Sequence, residues 1–223
     1  GQLLAKVKDL GVEDNTIVMY STDNGAETFT WPDGGTTMFR GEKNTQWEGG
    51  YRVPCAIRWP GVIKPGTVVN DIAAHEDMLP TLASLVGAPA VPTSGIDYSG
   101  IVTGAAKAVQ DYVVFTYDDF QSGQASPPYV PAPQHIVGIR EANWKIARYY
   151  AVAPDAAAPE YEMYDLANDP LETTNLADRG YQRTPAEQRQ FVRLVKKLDD
   201  VIATRLQPLP STIEPTMPAP AWR

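Results

Sequence analysis

Two short stretches hold residue types that can do chemistry together. The β-rich run Thr16-Ile17-Val18-Met19-Tyr20-Ser21 stops abruptly at Thr22-Asp23-Asn24-Gly25. Open α/β sheets place their sites at the C-terminal ends of strands. Asp23 and Asn24 are adjacent hard oxygen donors of the kind that Ca²⁺ or Mg²⁺ takes, and Gly25 lets the backbone turn sharply behind them. An Asx turn capping the strand is the plainer use of the same residues. The second stretch is Gly41-Glu42-Lys43-Asn44-Thr45-Gln46-Trp47-Glu48-Gly49-Gly50. Its glycines let backbone crowd around an anion beside Lys43; the plainer alternative is a solvated surface charge.

Both stretches carry a resemblance that continues along the chain through Arg52-Val53-Pro54, Arg58-Trp59-Pro60-Gly61, Asp77-Met78-Leu79-Pro80-Thr81-Leu82 and Glu162-Met163-Tyr164-Asp165-Leu166-Ala167-Asn168-Asp169-Pro170. In this order the set resembles the type I sulfatases (arylsulfatases) of the alkaline phosphatase superfamily. The resemblance implies an α/β fold: the C-terminal part of an alkaline-phosphatase-like sandwich, plus a small α+β subdomain. It implies that Asp23 and Asn24 bind a divalent cation, Ca²⁺ or alternatively Mg²⁺, with two further aspartates from elsewhere completing the shell. It assigns Lys43 to the sulfate group or the leaving oxygen. The family's nucleophile motif, Cys or Ser followed by x-Pro-x-Arg, is absent, and Cys55-Ala56-Ile57-Arg58 does not fit it. The sequence therefore reads as the C-terminal portion of such an enzyme, inactive by itself. The expected partners are a missing N-terminal half, which would supply a formylglycine nucleophile, and a sulfated small molecule or glycan. The family also implies a periplasmic or extracellular setting. Alternatives are a phosphonate or phosphate ester hydrolase of the same superfamily, or a non-catalytic scaffold.

The elements that must position these residues follow in order. Leu3, Leu4, Val7 and Leu10 at helical spacing predict a helix over 2–10, stopped by Gly11. Helix, short loop and strand 16–21 read as the second half of a β-α-β unit. Residues 26–50 carry no periodicity, and Trp31, Phe39 and Trp47 predict an ordered loop. Trp31, Asp33 and Arg40 in that loop either touch substrate or simply pack it. Glu48 is expected to orient the loop as a structural partner.

Residues 52–59 read as a buried strand with Val53, Cys55 and Ile57 on one face, and 68–73 as a short strand. Asp77 is expected to cap a helix with Pro80 in its first turn and Met78 or Leu79, Leu82, Leu85 and Val86 buried. A domain boundary is placed near residue 105. Residues 1–105 would finish the α/β catalytic domain and 106–223 would form the α+β subdomain. That subdomain is predicted as strands 112–117, 136–140, 144–150 and 160–166 in an antiparallel sheet. A helix over 185–206 opens on the capping box Thr184-Pro185-Ala186-Glu187 and packs Phe191, Leu194, Val195, Leu198 and Val201 or Ile202 on that sheet. The prolines of 121–133 predict a loop and those from Gln207 onward an extended tail.

Composition narrows the function further. A net charge of −8 argues against a nucleic-acid partner. No apolar run approaches a membrane span. One cysteine excludes an internal disulfide, and its apolar surroundings predict a core position. His75 and His135 are read as capping or packing residues, and Asp165 and Asp169 as turn residues.

Overall fold

The computed structural model describes residues 1–27, 30, 32–90, 92–106, 110–118, 135–150 and 158–206. Trp31, the whole 121–133 loop and the tail from Gln207 lie outside the described residues.

Helix α1 spans Gln2–Asp9, and Gly11 ends its turn at φ +68°. The sequence places apolar side chains on one stripe, yet none is buried, and Leu3 stays 81% exposed. Strand β1, Val18–Ser21, pairs antiparallel with β2, Cys55–Arg58, in a two-stranded sheet. Residue 21 opposes 55, so the end of β1, from which the Asp23 turn departs, lies against the start of β2. The expected burial of β2 is corrected here. Cys55 and Ala56, on opposite faces of the strand, are both exposed and Ile57 is half-buried, because among the described residues neither face of the two-stranded sheet is fully covered. Residues 68–73 form no strand, and Val68 projects into solvent at 79% exposure.

Asp77 also departs from expectation. It is fully buried, but it caps backward: its carboxylate accepts from Ala74 N–H at 2.7 Å and Ile96 N–H at 2.8 Å. This braces the 3₁₀ turn His75–Asp77 against the following loop instead of closing the first turn of helix α3, Met78–Leu85. Thr81 is the buried residue of α3, while Leu79 and Val86 are exposed. Two short helices, α2 (Glu48–Tyr51) and α4 (Ser99–Val102), interrupt the loops.

The C-terminal half follows its pattern closely. Strands β3 (Tyr112–Asp118), β4 (His135–Glu141), β5 (Trp144–Tyr150) and β6 (Glu160–Asp165) form an antiparallel meander in that order. Arg140 opposes Lys145 across the predicted hairpin turn. Helix α5, Pro185–Arg205, starts on the reciprocal Thr184/Glu187 box. Alternation puts Val137, Ile139, Ile146 and Met163 on one sheet face, where they meet Leu194, Leu198 and Val201 of α5. Charge pairs rim this layer; Arg193 forks onto the Glu141 carboxylate at 2.7 and 2.9 Å, and Lys197 joins it at 2.8 Å. Leu198 is wholly buried. Leu198→Ala should therefore lower unfolding stability by about 2–5 kcal/mol, a loss read by urea titration. A change under about 0.5 kcal/mol would contradict this packing.

Candidate active site

The two chemical stretches come together through their backbones. Gly25 N–H donates to the Gly50 carbonyl at 2.9 Å, and Lys43 N–H donates to the Ala26 carbonyl at 3.0 Å. Glycine is required at the crossing. A Cβ on Gly25 would lie 1.7 Å from the Gly49 carbonyl oxygen, deep inside contact distance. Gly41 combines φ +82° with Thr45 Oγ1 only 2.4 Å from where its Cβ would be. The glycines of both stretches thus let two loops share one space.

Asp23 sits exposed on the turn and accepts from Thr22 Oγ1 at 3.3 Å. Asn24 is half-buried and donates its amide N–H to the Gly25 carbonyl at 2.9 Å, which leaves the amide oxygen on the opposite side. His75, expected to cap or pack, reaches the same turn: its Nε2 donates to the Thr22 carbonyl at 3.0 Å. Lys43 is paired with Glu27 at 2.9 Å. Its hydrogen bond to Glu27, the charge of Glu27 and a smaller contribution from Asp23 hold the ammonium above the usual lysine range. The Asp23 turn and the Lys43 ammonium are therefore electrostatic neighbours.

An open groove of about 410 Å³ borders this point, with Asn24, Glu27, Arg52 and Val53 on its wall. Asp23 and Lys43 lie beside it and do not line it. As a cation site, Asp23 and Asn24 fit part of a shell. They offer two hard oxygens where calcium takes six to eight, and among the described residues no group of three or more His, Cys, Asp or Glu is placed to hold a metal ion.

Arg40 lies in a seam between the loop and the C-terminal sheet. Its guanidinium donates to Tyr164 Oη at 3.1 Å and to the Glu172 carbonyl at 2.6 Å, and stacks on Trp47 at 4.0 Å. The Glu162 carboxylate collects three donors there: Gln46 Nε2 and Trp47 Nε1, both at 2.9 Å, and Tyr164 Oη at 2.8 Å. Burial and the Glu162 charge push the Tyr149 and Tyr164 phenols well above their ordinary range, so both stay protonated donors.

Deeper in the seam, Lys145 bridges two carboxylates, Glu172 at 2.9 Å and Glu48 at 3.4 Å. Glu48 thus acts as a structural partner. Burial raises the Glu172 carboxyl above the usual range, against the opposing pull of Lys145. Sequence reasoning missed Glu162, Lys145 and Glu172. Their signal was the charge placed at inward positions of β5 and β6, and a glutamate two residues beyond Asp169-Pro170.

The Sulfatase family matches residues 1–88. Arylsulfatase A of Homo sapiens is 34% identical over 193 residues, covering 83% of this chain and 38% of that protein. Steryl-sulfatase of Mus musculus is 27% identical over 239 residues, covering 96% of this chain and 37% of that protein. Among solved structures, the PsFucS1 sulfatase from Pseudoalteromonas sp. superposes with a TM-score of 0.66 at 24% identity, covering 91% of this chain and 40% of that one. The chain therefore spans about two fifths of the length of the relatives it matches (38% and 37%). The motifs, the fold and these matches agree: the chain belongs to the sulfatase family of the alkaline phosphatase-like superfamily.

Proposed function

We propose that these residues form part of a sulfuric ester hydrolase that cleaves sulfate monoesters in a metal-assisted reaction. The observation that carries the reading is the crossing of the two loops, where Gly25 and Lys43 each donate a backbone hydrogen bond to the other stretch. It puts a held ammonium beside an acidic turn of hard oxygen donors. The relatives' names, arylsulfatase and steryl-sulfatase, support sulfate esters as the substrate class.

In this reading Asp23 and Asn24 hold a divalent cation, Ca²⁺ or alternatively Mg²⁺, whose Lewis acidity would draw charge from the sulfate oxygens. Lys43 binds those oxygens and stabilises the charge that grows as the ester bond breaks. Glu27 holds the Lys43 ammonium in place through their 2.9 Å ion pair. The nucleophile, a formylglycine by family resemblance, is supplied by a Cys or Ser outside these residues. We further take residues 1–105 as part of the catalytic α/β domain and 106–223 as the subdomain that buttresses it. An exported setting, periplasmic or extracellular, accords with this reading. Among the described residues no helix is long and apolar enough to cross a membrane.

The test compares p-nitrophenyl sulfate, p-nitrophenyl phosphate and a phenyl phosphonate monoester as substrates of the complete protein with calcium present. The sulfate should show the highest kcat/KM. Preference for either phosphorus ester would move the function to the sister hydrolases. No turnover of any, in protein that carries its metal, would leave a binding scaffold.

A further inference from the structure

The residues from Arg40 to Glu48 form a loop closed at its neck, where Gly49 N–H donates to the Arg40 carbonyl at 2.7 Å. Lys43 lies inside that loop. One residue far along the chain grips both sides of the neck. The Glu172 carbonyl oxygen accepts from Arg40 Nη1 at 2.6 Å, and Glu172 Oε2 accepts from the Glu48 backbone N–H at 2.6 Å.

Glu172 adopts a left-handed backbone, φ +56°, which costs energy for a residue with a side chain. Its carboxylate is wholly buried, and the second oxygen faces the Lys145 ammonium at 2.9 Å as an ion pair. Lys145 stands on β5, in the middle of the meander, and its side chain is 3% exposed. The Glu48 carboxylate is held from the same side by Lys145 and Arg140, at 3.4 and 3.5 Å. Buried ion pairs of this kind are weak sources of stability because desolvation offsets attraction. What the arrangement does secure is geometry: a strained, buried residue in the segment after β6, anchored to Lys145 of the C-terminal sheet, fixes the two ends of the loop that presents the ammonium.

We propose that Glu172 is a positioning residue for Lys43, holding the 40–48 loop so that the ammonium meets the sulfate oxygens. This rests on the reading of Lys43 as the anion-binding cation. Glu172 touches no substrate in this account, so its whole effect on turnover passes through Lys43.

The test is a double-mutant cycle in the complete protein, with p-nitrophenyl sulfate as substrate and melting temperature as a separate readout. Glu172→Ala should lower kcat by roughly 10–10²-fold, the cost of displacing a reacting group by about an ångström. Placed on Lys43→Ala, the same change should cost less than about threefold, because coupled residues are not additive. If Glu172→Ala does not accumulate as folded protein, Arg40→Met takes its place; it releases the other grip at an exposed position and keeps an apolar stack on Trp47. The Arg40 variant should show the same loss of additivity. Equal fold-losses in both backgrounds, or wild-type kcat in the folded variant, would overturn the proposal. Full activity of Lys43→Ala alone would instead overturn the parent reading and this one with it, in an arm of its own.

Discussion

Lys43→Ala should lower kcat/KM for a sulfate monoester by roughly 10²–10³, the size of losing one pre-aimed donor to a charge that develops in the transition state. The fold should survive. The side chain is 38% exposed, its hydrogen bond is to the partly exposed Glu27, and such surface pairs contribute little. Two effects add in the same direction. The attraction to the sulfate oxygens disappears, and Glu27 is left as an unpaired carboxylate close to an incoming anion. Lys43→Arg should recover part of the rate, because the charge returns on a longer, planar group that points differently. The decisive readout is the pairing of lost kcat/KM with an unchanged melting temperature. A loss below tenfold in a folded protein would return Lys43 to an ordinary surface charge.

How far the sequence could be read differed between the two halves, for a physical reason. The meander and α5 announce themselves because each element there finds its buried partner within the chain. Val137, Ile139, Ile146 and Met163 alternate along strands, Leu194, Leu198 and Val201 recur at helical spacing, and each set covers the other. In the first hundred residues the same patterns mislead. Leu3, Cys55, Val68 and Leu79 sit in apolar patterns, but in the described structure they stay exposed. Periodicity reports the face a residue offers; it does not say whether a layer arrives to cover it.

The candidate site was legible where function restricts residue type. A short acidic turn after a strand and a lysine between glycines stand out in one dimension. Their joint position does not, since it depends on Gly25 meeting Gly50 across a gap with no room for a Cβ. Still less visible was the support behind the loop. Glu172 lies 132 residues from Arg40 and 124 from Glu48 along the chain. Its role depends on a left-handed backbone that no composition rule predicts for glutamate.

Asp23→Ala should strip calcium from the complete protein and abolish sulfate ester turnover. A hard cation is held by formal negative charge as well as by oxygen count, and of the pair at the turn only Asp23 is ionised. Asn24 keeps its amide oxygen after the change, yet a neutral donor cannot replace the lost carboxylate. The fold has little at stake here. Asp23 is exposed, and its contact to Thr22 is a 3.3 Å hydrogen bond between surface side chains, so stability should shift by no more than about 0.5 kcal/mol. Asp23→Asn separates charge from geometry, because it preserves an oxygen at the same reach. Its calcium affinity should fall without vanishing, and turnover should return as the calcium concentration is raised, as mass action on a weakened site requires. Calcium content by elemental analysis, measured beside activity for both variants, decides the assignment. Unchanged calcium and unchanged activity in Asp23→Ala would reduce the turn to a strand cap, with the cation held elsewhere.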